Sequence, residues 1–107
     1  MSRLEQLQKF LALDPNDSFT RYAIGLEYAS QKMPERAIET FEALRAHDPA
    51  YVPTYYQLAA AYRDLKQPEK ATAIYREGIA RARAEKDQHA ASELAAALEE
   101  LEEENDS

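Results

Sequence analysis

The chain has 107 residues, no cysteine and a formal net charge of −7, enough for one small domain with a thin core and no means of building a disulfide framework or a thiolate site. That acidic balance argues against binding nucleic-acid backbones, which takes a basic surface. No apolar run approaches the length of a membrane span.

Twenty alanines against two glycines favour helices, and small side chains let helices approach closely. Ser2-Arg3-Leu4-Glu5 reads as a capping box, with a hydroxyl at the N-cap and a carboxylate three residues on. Leu4, Leu7 and Leu11 follow on one helical face, and Pro15 closes this first helix at about Leu13. Met1 to Phe10 alternates charge with leucine and is not a signal peptide, so a cytoplasmic protein is expected. A second helix follows the Asn16-Asp17-Ser18 cap signal and reaches about Gln31. Its apolar residues, Phe19, Tyr22, Ala23, Ile24, Leu26 and Tyr28, are too many for one stripe, so it should bury one face and offer another. A third helix opens at Pro34, where a missing amide donor costs nothing, and ends near His47 ahead of Pro49. The fourth runs from Pro53 to about Leu65. The fifth opens at Pro68 and meets no breaker until Asp87. A sixth carries Leu94, Leu98 and Leu101, with residues 102–107 expected to fray and 105–107 to form a disordered acidic tail. No strand pattern appears, and the short connections suit antiparallel helix neighbours.

The sequence also repeats at 34 residues. Asp14-Pro15 recurs as Asp48-Pro49, Tyr22 as Tyr56, Tyr28 as Tyr62, Lys32 as Lys66, Pro34-Glu35 as Pro68-Glu69, Ala37 as Ala71, and Phe41 as Tyr75. A fixed period of this size means that a helix-turn-helix unit has been copied and stacked. Such units are stable only beside neighbours, and the product is an elongated solenoid with a concave face.

These residues resemble the tetratricopeptide repeat family. The first unit supplies Ile24-Gly25, Tyr28, Ala37, Phe41 and Pro49, with Arg21 where the family has a leading aromatic. The second supplies Tyr55, Leu58-Ala59, Tyr62, Ala71 and Tyr75, and departs at Arg83, where a closing proline should stand, so the fifth helix should run on by about a turn. The resemblance implies an all-α, antiparallel helix-turn-helix solenoid of about six helices. It would form a single domain over 1–104, with repeats about 18–51 and 52–85. Residues 1–15 would be a leading half repeat, with Leu7 in the slot of Phe41, and a capping helix would span about 88–104.

The same resemblance implies a partner-binding groove along the first helix of each pair. Carried over by position, its lining is Phe19, Tyr22, Leu26, Ala29 and Ser30, then Pro53, Tyr56, Ala60, Arg63 and Asp64, then Ser92, Ala96, Glu99 and Glu100. The plainer alternative is that Phe19, Tyr22 and Tyr56 complete the packing of a short solenoid. A subgroup of the family clamps chaperone C-termini with Lys, Asn and Arg in this groove, and of those places only Arg63 matches here. His47 and His89 stand alone, without the spacing of a metal shell. Arg76, Arg81, Arg83 and Lys86 are explained by pairing with Glu77 and Glu85 along the helix, and no glycine-rich loop is present to cradle phosphate. The expectation is therefore a non-catalytic protein-interaction module or adaptor, with no cofactor, no metal, no nucleic acid and no membrane. Its partner would be a peptide or helix with apolar anchors. The alternative is a structural self-association unit, in which the aromatic face or an open end of the solenoid joins copies into a homo-oligomer.

Overall fold

The computed structural model describes residues 1–106. Six helices follow one another: α1 (Arg3–Leu13), α2 (Ser18–Ser30), α3 (Pro34–His47), α4 (Pro53–Asp64), α5 (Pro68–Ala84) and α6 (Gln88–Asp106). Each packs antiparallel to the next, and the stack measures 45 × 30 × 19 Å. Among the described residues no strand forms, and no helix is long and apolar enough to cross a membrane. The expected all-α solenoid is the observed fold. Helix starts follow their signals. Ser2 accepts the Glu5 amide at 3.1 Å, Asp17 accepts the Phe19 amide, and Pro34, Pro53 and Pro68 occupy first-turn positions. α5 is three residues longer than α3, as the lost proline at Arg83 anticipates.

The tail is a correction. Asn105 and Asp106 belong to α6, whereas 105–107 were expected to be disordered; Ser107 lies outside the described residues. The last turns are held because Arg63 reaches across from α4 to Glu100 at 3.2 Å and Glu104 at 2.7 Å.

Helix spacing is set by large rings seated on small residues. Phe41 is completely buried, and a Cβ added at Gly25 would meet its ring at 2.3 Å. In the second unit Tyr75 replaces Phe41 and Ala59 replaces Gly25, both buried. Gly78 on α5 does the same work within the second unit and against α6, where an added Cβ would lie 2.5 Å from Tyr55 Cβ and 3.1 Å from Leu94. Ala37, Ala71 and Ala82 have no exposed surface, so the helices meet at these points nearly backbone to backbone. Burying rings such as Phe41 and Tyr75 contributes about 1.5–3 kcal/mol each.

Three of the five connections are one turn copied three times. Lys32, Lys66 and Lys86 have φ near +60°, and each is followed by a residue whose amide reaches back to a carbonyl five residues earlier. That bond pattern satisfies helix-end carbonyls in the manner of a Schellman cap. A lysine there places positive charge at a helix C-terminus but strains a backbone that favours glycine. The repeat makes Lys32 and Lys66 visible in the sequence. The third turn, at Lys86, lies off the 34-residue period and joins α5 to α6 as tightly as the two units are joined internally.

Polar links stitch the convex side. The Tyr62 hydroxyl donates to Glu42, Glu42 accepts from Arg45 at 2.6 Å, and Arg45 forks onto Glu77 at 2.8 and 3.0 Å, tying α3, α4 and α5 together. Burial, with Glu42 beside it, pushes the Tyr62 phenol up to about 12. The Thr54 hydroxyl, by contrast, is buried without a hydrogen-bond partner. One repeat earlier, Thr20 donates to Asp17 at 2.6 Å, and the residue equivalent to Asp17 in the second unit is Tyr51.

Three outcomes test this packing. Gly25→Ala should gain up to about 1 kcal/mol of helix propensity yet destabilise overall by about 1–2 kcal/mol in urea unfolding, because Phe41 cannot retreat. Adding Phe41→Leu should narrow that loss. Thr54→Val should leave stability unchanged or raise it by about 1 kcal/mol, since it removes an unmatched buried hydroxyl while keeping the shape. Finally, a phenol whose folded pKa exceeds its unfolded value of about 10 stabilises the fold below pH 10 and loses that contribution as pH climbs to about 12. Tyr62→Phe should therefore lose less stability than the parent between pH 10 and 12, read by chemical denaturation at each pH.

Candidate interaction groove

Three hollows run in series along the concave side. The first, of about 400 Å³, lies between α2, α4 and the start of α6, among Tyr22, Tyr56, Gln57, Ala90, Glu93 and Leu94. The second, also about 400 Å³, is lined by Ala29, Lys32, Gln57, Ala60 and Asp64. The third, of about 660 Å³, involves Ala60, Arg63, Asp64, Leu101 and Glu104. Gln57 borders the first two hollows, and Ala60 with Asp64 borders the last two, so the trough is continuous.

The repeat explains why these side chains meet. α2 and α4 lie side by side in the same orientation, and positions one repeat apart, such as Tyr22 and Tyr56, project in register. Tyr22 is half-buried, tilted against Phe41 at 6.0 Å and Tyr51 at 5.7 Å. Burial raises its pKa, partly offset by a hydrogen bond with Gln57 that crosses from α2 to α4. Tyr56 stands edge-on to Tyr75 at 6.3 Å and keeps 42% of its surface exposed. Tyr22 therefore serves packing as well as lining, while Tyr56 offers its ring to the trough.

The expected groove residues separate into two groups. Tyr22, Ala29, Tyr56, Ala60 and Arg63 come together along the trough. Phe19, at 66% exposure, and Leu26 line none of the three hollows, although helical spacing puts them on the same face of α2 as Tyr22 and Ala29. Glu99 is exposed on α6, a quarter turn from Glu100, and lines none of them either. Gln57, Glu93 and Glu104 border the trough although position carry-over omitted them. The signal for Gln57 was available, since it lies between Tyr56 and Ala60 on an element already placed in the groove. The signal for Glu93 and Glu104 was not, because the rotation of α6 depends on the turn at Lys86.

Arg63 illustrates the electrostatics. Its guanidinium is held by Glu100 and Glu104, and a hydrogen bond with the Tyr75 hydroxyl, the largest influence, drives its pKa further up. The one position matching a carboxylate clamp is thus already engaged within the protein. His89 lies 3.0 Å from Glu93 at the other end of the trough. Among the described residues, no group of three or more His, Asp and Glu side chains is disposed to hold a metal ion. α6 holds seven of the chain's 20 acidic residues and none of its 13 Lys and Arg, so the whole net charge resides on this helix.

Comparison with known proteins agrees with this architecture. A solution NMR structure of a tetratricopeptide repeat domain protein from Salinibacter ruber shares 42% sequence identity, covers 83% of this chain and 90% of its own, and superposes with a TM-score of 0.79. The type III secretion translocator chaperone SycD of Yersinia enterocolitica has the same fold at 12% identity (TM-score 0.87), over 97% of this chain and 72% of its own. So does PcrH, solved with the chaperone-binding region of PopD, at 18% identity (TM-score 0.87), over 95% of this chain and 77% of its own. None of the curated proteins compared shows detectable sequence similarity to the chain. The sequence profile of the tetratricopeptide repeat matches residues 28–98, and with the 34-residue period and the ring-on-glycine crossings described above, the chain belongs to the tetratricopeptide repeat family.

Proposed function

We propose that this chain is a protein-interaction module that holds a peptide or helix along the α2–α4–α6 trough and performs no catalysis. The observation that carries this reading is the Tyr56 ring, 42% exposed beside a hollow walled by Tyr22, Pro53 and Leu94. A large aromatic left open in a concave, partly apolar site has the character of a contact anchor. The fold shared with PcrH, which was solved with a segment of PopD, supports the same reading. Residues 1–104 would act as a single domain, with repeats about 18–51 and 52–85 and α6 as the cap, in a cytoplasmic setting.

The matching segment has apolar anchors for the Tyr22–Tyr56 end and a Lys or Arg to meet the acidic wall of α6. With only two full repeats the contact area is small, and affinity should be about micromolar. Selection of displayed random peptides on the protein, followed by amide shift mapping of the best binder, tests the assignment. Enriched sequences should carry an aromatic or aliphatic residue near a basic one, and shifts should cluster at Tyr56, Gln57 and Ala60. Tyr56→Ala should weaken binding by about 1–2 kcal/mol without moving the melting temperature much. Added salt should weaken it further, because the charges lie at the rim. Binders that map to the convex side, around Arg45 and Arg76, would reject the groove.

A further inference from the structure

α6 carries a row of carboxylates beside α4, and one end of that row has no cation. Glu100 and Glu104 follow Glu93 by seven and eleven residues, so the three fall on one stripe of the helix. At the far end Arg63 answers them, 3.2 Å from Glu100 and 2.7 Å from Glu104, with the Tyr75 hydroxyl as a further partner. α4 and α6 both run antiparallel to α5 and therefore parallel to each other. Two turns earlier on each helix, Arg63 gives way to Tyr56 and Glu100 to Glu93. The helix pair that closes on a guanidinium at one level thus presents a ring and a carboxylate at the other.

That other level is the first hollow, of about 400 Å³, where Asp87 joins Glu93 in the wall. No Lys or Arg lines it, although Lys86 is the adjacent residue in the chain. Glu93 has His89 as its neighbour at 3.0 Å, a side chain that the net charge of −7 counts as neutral. Asp87 uses one oxygen to cap the Ala90 amide at 3.0 Å, which leaves the second available. The outer acids of α6 are placed differently. Glu102 stands 3.8 Å from Arg76, and Glu99 and Glu103 line none of the three hollows.

Charge and shape together select the occupant. A purely apolar side chain would cover the rings but draw two carboxylates out of water without a partner. A Lys or Arg side chain suits both parts of the wall. Its methylene stem lies along apolar surface while its head stays at the wet rim, and a cation beside a tyrosine ring is itself favoured. We propose that the first hollow is a seat for one Lys or Arg side chain of the bound segment, next to its apolar anchor, with the stem along Tyr56 and the charge shared by Glu93 and Asp87. The proposal rests on the groove reading and narrows it, because it puts the basic residue at the start of α6 and not along the outer acids.

Two displayed peptide libraries selected on the full chain test it, one of full composition and one with Lys and Arg left out. Binders from each are mapped by amide shifts. The full library should yield trough binders with a basic residue at a fixed spacing from the apolar anchor, and the depleted library binders at least about tenfold weaker. In the best full-library peptide, replacing the basic residue with Gln should cost about tenfold in affinity, equivalent to 1.4 kcal/mol. On Glu93→Gln/Asp87→Asn, which keeps a capping side chain before α6, the same replacement should cost less than about twofold, the coupling expected of groups in direct contact. On Glu99→Gln/Glu103→Gln its cost should be unchanged. Depleted-library peptides that bind the trough as tightly as the others would overturn the seat and leave the groove reading intact. So would a basic residue whose effect survives on Glu93→Gln/Asp87→Asn. If no peptide from either library maps to the trough, the groove reading falls and the seat falls with it.

Discussion

The close approach of α2 to α3, with Phe41 lying directly on Gly25, is the contact from which the rest of the stack takes its spacing. The ring fills the space that a side chain on α2 would otherwise occupy. Because both partners are rigid, the two helices have one separation at which they touch without void or clash. In the second unit Tyr75 and Ala59 hold the equivalent positions, both buried, and Tyr55 of α4 lies directly against Gly78 of α5. Once these distances are fixed, α2 and α4 are parallel and in register, and the trough between them is a consequence.

The polar chemistry of the molecule is arranged around that frame. On the convex side, Tyr62, Glu42, Arg45 and Glu77 link three helices through bonds that share charge over several groups. On the concave side, Arg63 spends its guanidinium on the end of α6. Exposed ion pairs contribute little stability singly, but the Arg63 cluster ties Glu100 and Glu104 of α6 to α4. It also removes Arg63 from any role as a free anion receptor. What remains available to a partner is an aromatic end, a middle lined by small and amide side chains, and an acidic wall. This division follows from the placement of the full −7 charge on one helix.

The candidate site was legible to the extent that it lay within the repeat. Tyr22, Ala29, Tyr56, Ala60 and Arg63 sit in α2 and α4, whose relative rotation the 34-residue period dictates, and these residues do gather along one trough. Phe19 and Leu26 share α2 with Tyr22 and Ala29 but line none of the three hollows. Position within a unit says where a side chain projects; it does not say whether another helix arrives to meet it. Glu99 fails differently, since α6 follows a turn that departs from the period and one residue of phase shifts a helical side chain by about 100°.

By itself the sequence determined the helices, their ends, their antiparallel order and the family. Those depend on short-range signals: prolines at first turns, caps at Ser2 and Asp17, apolar spacing, and small residues matched to rings one helix away. The tertiary structure decided how far the last helix extends, with α6 running to Asp106 beyond the Arg63–Glu104 pair. It also decided that Lys86 adopts the same left-handed turn as Lys32 and Lys66, that the Thr54 hydroxyl is stranded where Tyr51 replaces an aspartate, and that the Phe10–Leu13 flank is bare. Each of these depends on which side chains from distant segments arrive at one place. Local propensity fixes the conformation of a helix, but only the packed neighbours fix its rotation, its reach and its exposed face.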